Sequence, residues 1–404
     1  MPILYAGFLM RFISILSIYI IYMDISSFLN KKLNLPSLHL SELSYIMLEK
    51  IIYQIHLGRK VKGEITSKKL GQDEFPKGVD FYHIVDEIRD DIENMSKIGK
   101  RYEFKIGDRL FVIYAIVPEK SSGSLLEKYR MLDAAVKKMY IWLFVARHFS
   151  PTECSTSLTV YWYLTEHKKE LPYKREPIDQ ENANTAFTTA CPISPNNIYI
   201  FRKEEWFKVF IHETFHSFGL DFAKMFEKPA NDAMFSIFPV RCDVRFYETY
   251  TEMWAEIINV LFVCLGKKGS ISQKKIEDAL QKERMFSLFQ CVKILNHHNI
   301  TYEKLLTKDG GSRYTESTHA FSYYILKSIC MFFYSDFIEW CSRRNKGTIA
   351  FFKTQNNILS LVDFIKRKHN DPDYIMAIKI LEHWFSTTKY KGPLMETMRM
   401  TIHG

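Results

Sequence analysis

Residues 206–218 read Trp-Phe-Lys-Val-Phe-Ile-His-Glu-Thr-Phe-His-Ser-Phe, with the pentapeptide His212-Glu213-Thr214-Phe215-His216 at the centre. The spacing carries chemistry. On a helix, residues four apart lie one above the other, so the imidazoles of His212 and His216 can converge on one ion. Glu213, next to the first imidazole, then faces the open side of that ion, where it can take a proton from a bound water whose pKa zinc lowers toward ~7. Trp206, Phe207, Val209, Phe210, Ile211, Phe215 and Phe218 point in nearly every direction around such a helix, which marks it as buried. Two imidazoles and a carboxylate buried without partners would be strongly unfavourable, and a metal removes that penalty.

A catalytic zinc takes three protein ligands and keeps a fourth position open. The continuation H-E-x-x-H-x-x-G-x-x-H fails here: Gly219 is in place, but the last position is Phe222, and Asp221 is one residue out of step. A later stretch, Tyr247-Glu248-Thr249-Tyr250-Thr251-Glu252-Met253-Trp254-Ala255-Glu256, offers carboxylates instead. Glu248, Glu252 and Glu256 lie four apart and form a stripe on one face of a helix whose other face is apolar. A solvated acidic face normally carries Lys or Arg at i±4. No such cation occurs between positions 248 and 263, so a cation from elsewhere in the chain is wanted.

The pentapeptide is the zinc-peptidase signature, and the two helices together resemble the gluzincins. In that family a ligand glutamate is followed by x-x-small-acid, the acid orienting a ligand histidine. The resemblance covers these two helices only. It implies zinc held by His212, His216 and Glu252, with Glu256 as orienter and Glu213 as general base. Glu248 is the alternative ligand, since Glu248-Thr249-Tyr250-Thr251-Glu252 fits the pattern less well. The runs Asn184-Thr185-Ala186-Phe187-Thr188 and 198–209 also look like uncharacterised metallopeptidase-like proteins of giant DNA viruses, which implies a viral protein but no assigned substrate.

The 404 residues are 47% apolar and 15% aromatic, enough for a large core and not a disordered chain. Fifty-five basic against 46 acidic side chains give a net charge of +9. The basic residues are scattered, so nucleic-acid binding is not expected. Seven cysteines without any C-x-x-C pair point to a reducing, intracellular setting such as the cytoplasm; the viral resemblance adds packaging in a virion as an expectation, and the apolar stretch 3–22 adds membrane association. The stretch 3–22 is nearly all apolar, broken by Arg11; it reads as a membrane anchor, a signal peptide, a docked helix, or sequence upstream of a start at Met23.

Periodicity divides the chain into an apolar segment (1–30), a helix and linker (31–80), a mixed lobe ending in the motif helix (81–222) and a helical lobe (223–404). Helices are expected at 41–57, 81–95, 125–148, 243–265, 272–297, 319–341, 357–369 and 372–385. A hairpin is expected around Gly107-Asp108, strands at 157–164 and 197–201, and a substrate-binding edge at 184–189. Gly219 is expected to end the motif helix in a left-handed conformation. The oxyanion donor is sought among Tyr323, His319, Tyr247 and Arg245, the first two preferred. The whole reads as an α+β, zincin-like protein: a zinc-dependent peptidase acting on a peptide or protein substrate. The alternative is an inactive binding or structural protein of the same fold, with or without a structural zinc.

Overall fold

The hairpin at Gly107-Asp108 organises the sheet. Gly107 takes φ +59°, and the strands on either side, β2 (Lys97–Ile106) and β3 (Arg109–Pro118), pair antiparallel along their whole length once β1 (Thr66–Lys69) has laid the outer edge on β2. The computed structural model describes residues 33, 35–61, 63–77, 81–265 and 271–403. The apolar stretch 3–22, and the reading of it as an anchor, signal or docked helix, lies outside the described residues.

Among the described residues, helices run in the order α1 (Glu42–Lys60), α2 (Asp86–Asn94), α3 (Leu125–Phe149), α4 (Gln180–Ala183), α5 (Trp206–Ser217), α6 (Lys228–Phe235), α7 (Phe246–Cys264) and α8 (Gln273–His297). Then come α9 (Tyr302–Leu305), α10 (Lys308–Arg313), α11 (Lys327–Phe332), α12 (Tyr334–Arg344), α13 (Gln355–Lys368), α14 (Pro372–Thr387) and α15 (Pro393–Glu396). Ser41 caps α1, its hydroxyl accepting from the Ser44 amide. Strands β4 (Ser157–Tyr163), β5 (Ala186–Thr188) and β6 (Asn196–Ile200) complete one mixed six-stranded sheet in the order β1-β2-β3-β4-β6-β5. Helix α3 crosses between β3 and β4, which pair parallel; β6 adds parallel to β4, and β5 closes the edge antiparallel to β6. The fold is therefore α+β.

Alternation along β6 sorts its two faces. Ile198 and Ile200 enter the main core, which extends from Leu33 to Ile402 and contains α3, α5, α7 and α8. Tyr199 and the adjoining Phe201 enter a smaller cluster with Phe75, Phe81, Ile88 and Tyr163 on the opposite face. Helix α5 lies on the main-core face of β5 and β6, between α3 and α7. That placement accounts for its all-round apolar surface.

Four expectations change. The linker expected within 31–80 contains β1, whose four exposed residues show no apolar alternation and are placed by backbone pairing with β2 and by polar side-chain contacts such as Thr66 Oγ1 donating to the Glu103 carbonyl. The helix expected over 81–95 is only Asp86–Asn94, because 81–83 form a single 3-10 turn that plants Phe81 in the smaller cluster. The helix expected over 319–341 is interrupted twice: 321–326 wind as a π-helix, and Phe333, at φ −111° and ψ 43°, separates α11 from α12. Finally, Cys154 and Cys191 form a disulfide while the other five cysteines stay free, four of them buried. The turns before β4 and β6 bring the pair together across 37 positions, a separation that gives no sequence signal. No helix among the described residues is long and apolar enough to cross a membrane.

Candidate metal centre

The motif helix ends as its glycine demands. The Gly219 amide donates to the His216 carbonyl and the Leu220 amide to the Phe215 carbonyl, a Schellman arrangement, with Gly219 at φ +60°. The reversed chain turns Asp221 back beneath the helix, where its Oδ2 accepts from His216 Nδ1 and its Oδ1 from the Ala223 amide. From the other side, Trp142 of α3 donates to Thr214 Oγ1 at 2.5 Å, fixing the rotation of α5 between its two histidines.

Helix α7 crosses α5 so that its carboxylate stripe meets the imidazoles, and the stripe divides its work. Glu248 Oε2 lies 3.1 Å from His212 Nε2 and 3.3 Å from His216 Nε2, and the two Nε2 atoms are 3.0 Å apart. Glu252 meets the other side of the ring: its Oε2 accepts from His212 Nδ1 at 2.9 Å, and its Oε1 from Lys208 at 2.6 Å. Glu256, a turn further on, is ion-paired with Lys327 at 2.5 Å and does not orient a histidine. The carboxylate that converges with both imidazoles is thus Glu248, and the orienter is Glu252, one helical turn earlier than expected for each. The register of the α5–α7 crossing decides this, since all three glutamates occupy the same helix face.

The donor set fits a metal ion. Both Nδ1 atoms face carboxylates and so carry their protons, which leaves two Nε2 lone pairs and a carboxylate oxygen pointing at one another. Three acceptors so placed repel unless a cation sits among them. Their separations of 3.0, 3.1 and 3.3 Å match the spacing of about 3.3 Å between ligands of a tetrahedral site with bonds of about 2.0–2.1 Å. His212, His216 and Glu248 form a buried group that could hold a metal ion.

Electrostatics agree with a shared positive charge. Burial opposes the imidazolium of His216, but Glu248 and Asp221 outweigh it and raise its pKa well above the usual value. His212 is raised against burial by Glu248 and Glu252. Burial likewise opposes the Glu248 carboxylate, and the two histidines hold it well below the ordinary range. Protons and a metal compete here for the same lone pairs. Glu213, buried beside them, is raised chiefly by burial, the direction that suits a base working near neutral pH.

The remaining candidates gather around this centre. The Tyr323 ring lies 5.9 Å from the His212 ring, carried by the π-helical stretch. Burial, then Glu248 and Glu213, lift its phenol well above the usual value, so it stays a donor. His319 stands farther out, 6.4 Å from the Tyr323 ring, its Nδ1 at 4.0 Å from Asp243. Tyr247 packs 5.8 Å from the His216 ring and receives a hydrogen bond from Arg245 at 2.8 Å. The 184–189 segment contains β5, the sheet edge next to α5. A cavity of about 590 Å³ opens on the opposite sheet face, lined by Tyr82, His83, Phe187 and Tyr199, and does not include His212 or His216.

Sequence reasoning missed Asp221, Lys208 and Lys327. Asp221 was visible only as a misfit to a different motif. Lys208 carried a usable signal, an i−4 offset from His212 inside a buried helix; Lys327 carried none.

No protein-family model matches this chain, and neither does any curated protein or solved structure.

Proposed function

We propose that the chain is a zinc-dependent peptidase of gluzincin type, with His212, His216 and Glu248 as ligands and Glu213 as general base. The observation that carries the proposal is the convergence of two oriented imidazoles and one carboxylate, with a second carboxylate, Glu213, on the same helix and available for proton transfer. A catalytic zinc needs no more protein ligands than these three. The mixed sheet with an antiparallel edge strand beside the motif helix supports a zincin-like architecture. When bound, the ion supplies a Lewis acid that polarises the scissile carbonyl and acidifies water.

The chain's own residues do the rest. Glu213 takes the proton of the attacking water and passes it to the departing amine. Tyr323, protonated and beside His212, donates to the developing oxyanion, with His319 and Tyr247 as the further candidates. The free side of β5 offers backbone groups to an extended peptide. A second reading, a metal-stapled module without catalysis, is favoured by burial: His212, Glu213, His216 and Glu248 are each 7% exposed. A zinc-loaded preparation assayed on a quenched peptide library distinguishes the two. Cleavage that disappears in Glu213→Gln supports the peptidase; equal background turnover in both proteins refutes it.

A further inference from the structure

Lys208 is a lysine inside a helix that is buried all round, and its side chain is itself only 2% exposed. An ammonium is withdrawn from water only at considerable cost, so its partner identifies its purpose. Its hydrogen bonds go to Glu252 Oε1 at 2.6 Å and to the sulfur of Met400 at 3.5 Å. Met400 is fixed in turn, because its amide and that of Thr401 donate to Glu205, the residue that precedes α5. The neighbouring buried acids have their own cations: Lys169 pairs with Glu205, and Lys327 with Glu256. Lys208 is the cation that bonds Glu252.

Glu252 is held at both of its oxygens. One oxygen accepts from Lys208 and the other from His212 Nδ1. A carboxylate gripped at one oxygen cannot rotate about its last bond without losing a buried, charge-assisted hydrogen bond. Its other oxygen therefore presents a fixed acceptor to the imidazole. Lys208 and His212 lie one turn apart on α5, so the helix, the lysine, the glutamate and the ring close a rigid loop that aims Nε2 at Glu248 and His216.

We propose that Lys208 is a positioning residue of the metal centre, acting through Glu252 to fix the His212 imidazole and so to set the affinity for the metal. This rests on the metal-site reading above. The stripe Glu248, Glu252, Glu256 then has three assignments: one carboxylate for the ion, one that links a lysine to a ligand, and one paired with Lys327 away from the ion.

The test is zinc affinity of the full chain, measured by competition with a chromogenic chelator. Lys208→Met and Glu252→Gln should each weaken binding about 10- to 100-fold. The double variant should match Glu252→Gln within about threefold, because the lysine acts only through the glutamate. Lys327→Met, which breaks an equally buried pair away from the imidazoles, should lose stability but keep zinc affinity within about threefold of the parent. That control separates positioning from mere destabilisation. Parent-like affinity in a folded Lys208→Met would overturn the proposal, as would Lys327→Met weakening zinc as much as Lys208→Met. Should Lys208→Met fail to fold, the double variant decides: affinity about tenfold or more below Glu252→Gln would mean that Lys208 acts by another route. A parent that binds no zinc defeats the underlying metal reading instead, and shows itself before any variant is compared.

Discussion

At the scale of the residue, the two histidines of the motif are each held by an acid that a different structural event delivers. Asp221 reaches His216 because Gly219 reverses the chain, and Glu252 reaches His212 because α7 crosses α5 in one register. The first event makes Gly219 sensitive. A Cβ there would stand 2.8 Å from Cys154 Sγ and 3.1 Å from Cys191 Sγ, at a φ that L side chains resist. Gly219→Ala should therefore lower stability by about 1–3 kcal/mol and loosen the metal; a urea midpoint equal to the parent's would refute this. The second event separates two neighbouring glutamates. If the proposed zinc site holds, Glu248→Ala should abolish stoichiometric zinc, whereas Glu252→Gln should retain the ion at reduced affinity, both read by chelator competition. Zinc kept by Glu248→Ala and lost by Glu252→Gln would restore the reading drawn from the sequence. His212, Glu213 and His216 were legible because a single helix fixes their relations. The choice between Glu248 and Glu252 was not, since it depends on which imidazole nitrogen each one meets.

At the scale of the element, apolar periodicity located the long helices α1, α3, α7, α8, α13 and α14, because each has a face that must be buried. It failed where backbone geometry is set by neighbours. Strand β1 has no apolar face to announce it, and the break at Phe333 and the π-helical turn at 321–326 leave the apolar pattern of 319–341 intact. Packing between α8 and the segment around α15 makes a prediction of its own. Lys293 is buried and donates to the carbonyls of Leu394 and Thr397; burial pushes its pKa down to about 7. The folded state then sheds this proton at lower pH than the unfolded chain, whose lysine titrates near ~10.4. Between those values the unfolded state binds more protons, so stability rises with pH by on the order of 1 kcal/mol per unit. Relative to Lys293→Met, the parent should gain stability between pH 7 and 9.5 in urea titrations. A difference independent of pH would contradict the assignment.

At the scale of the molecule, the mixed α+β character and the position of the motif helix after a strand were readable, because turn chemistry and alternation mark strands locally. The strand order was not, since the parallel pairings of β4 to β3 and β6 are contacts between distant segments. The same long-range closure joins Cys154 to Cys191, and the Cys191 amide donates to the carbonyl of His216 at 2.9 Å. Replacing both cysteines by serine should lower stability by about 2–4 kcal/mol in oxidising buffer, and a reductant should erase the difference in thermal melts. Equal stability under oxidising conditions would mean that the pair is not bonded in solution. Above all these stands the proposed metal site. Elemental mass spectrometry of the purified chain, with His216→Ala prepared alongside, should find about one zinc per chain in the parent and little in the variant. No zinc in either protein after resupply would mean that residues 212–216 are only a packed helix, and the peptidase reading would fall with the site.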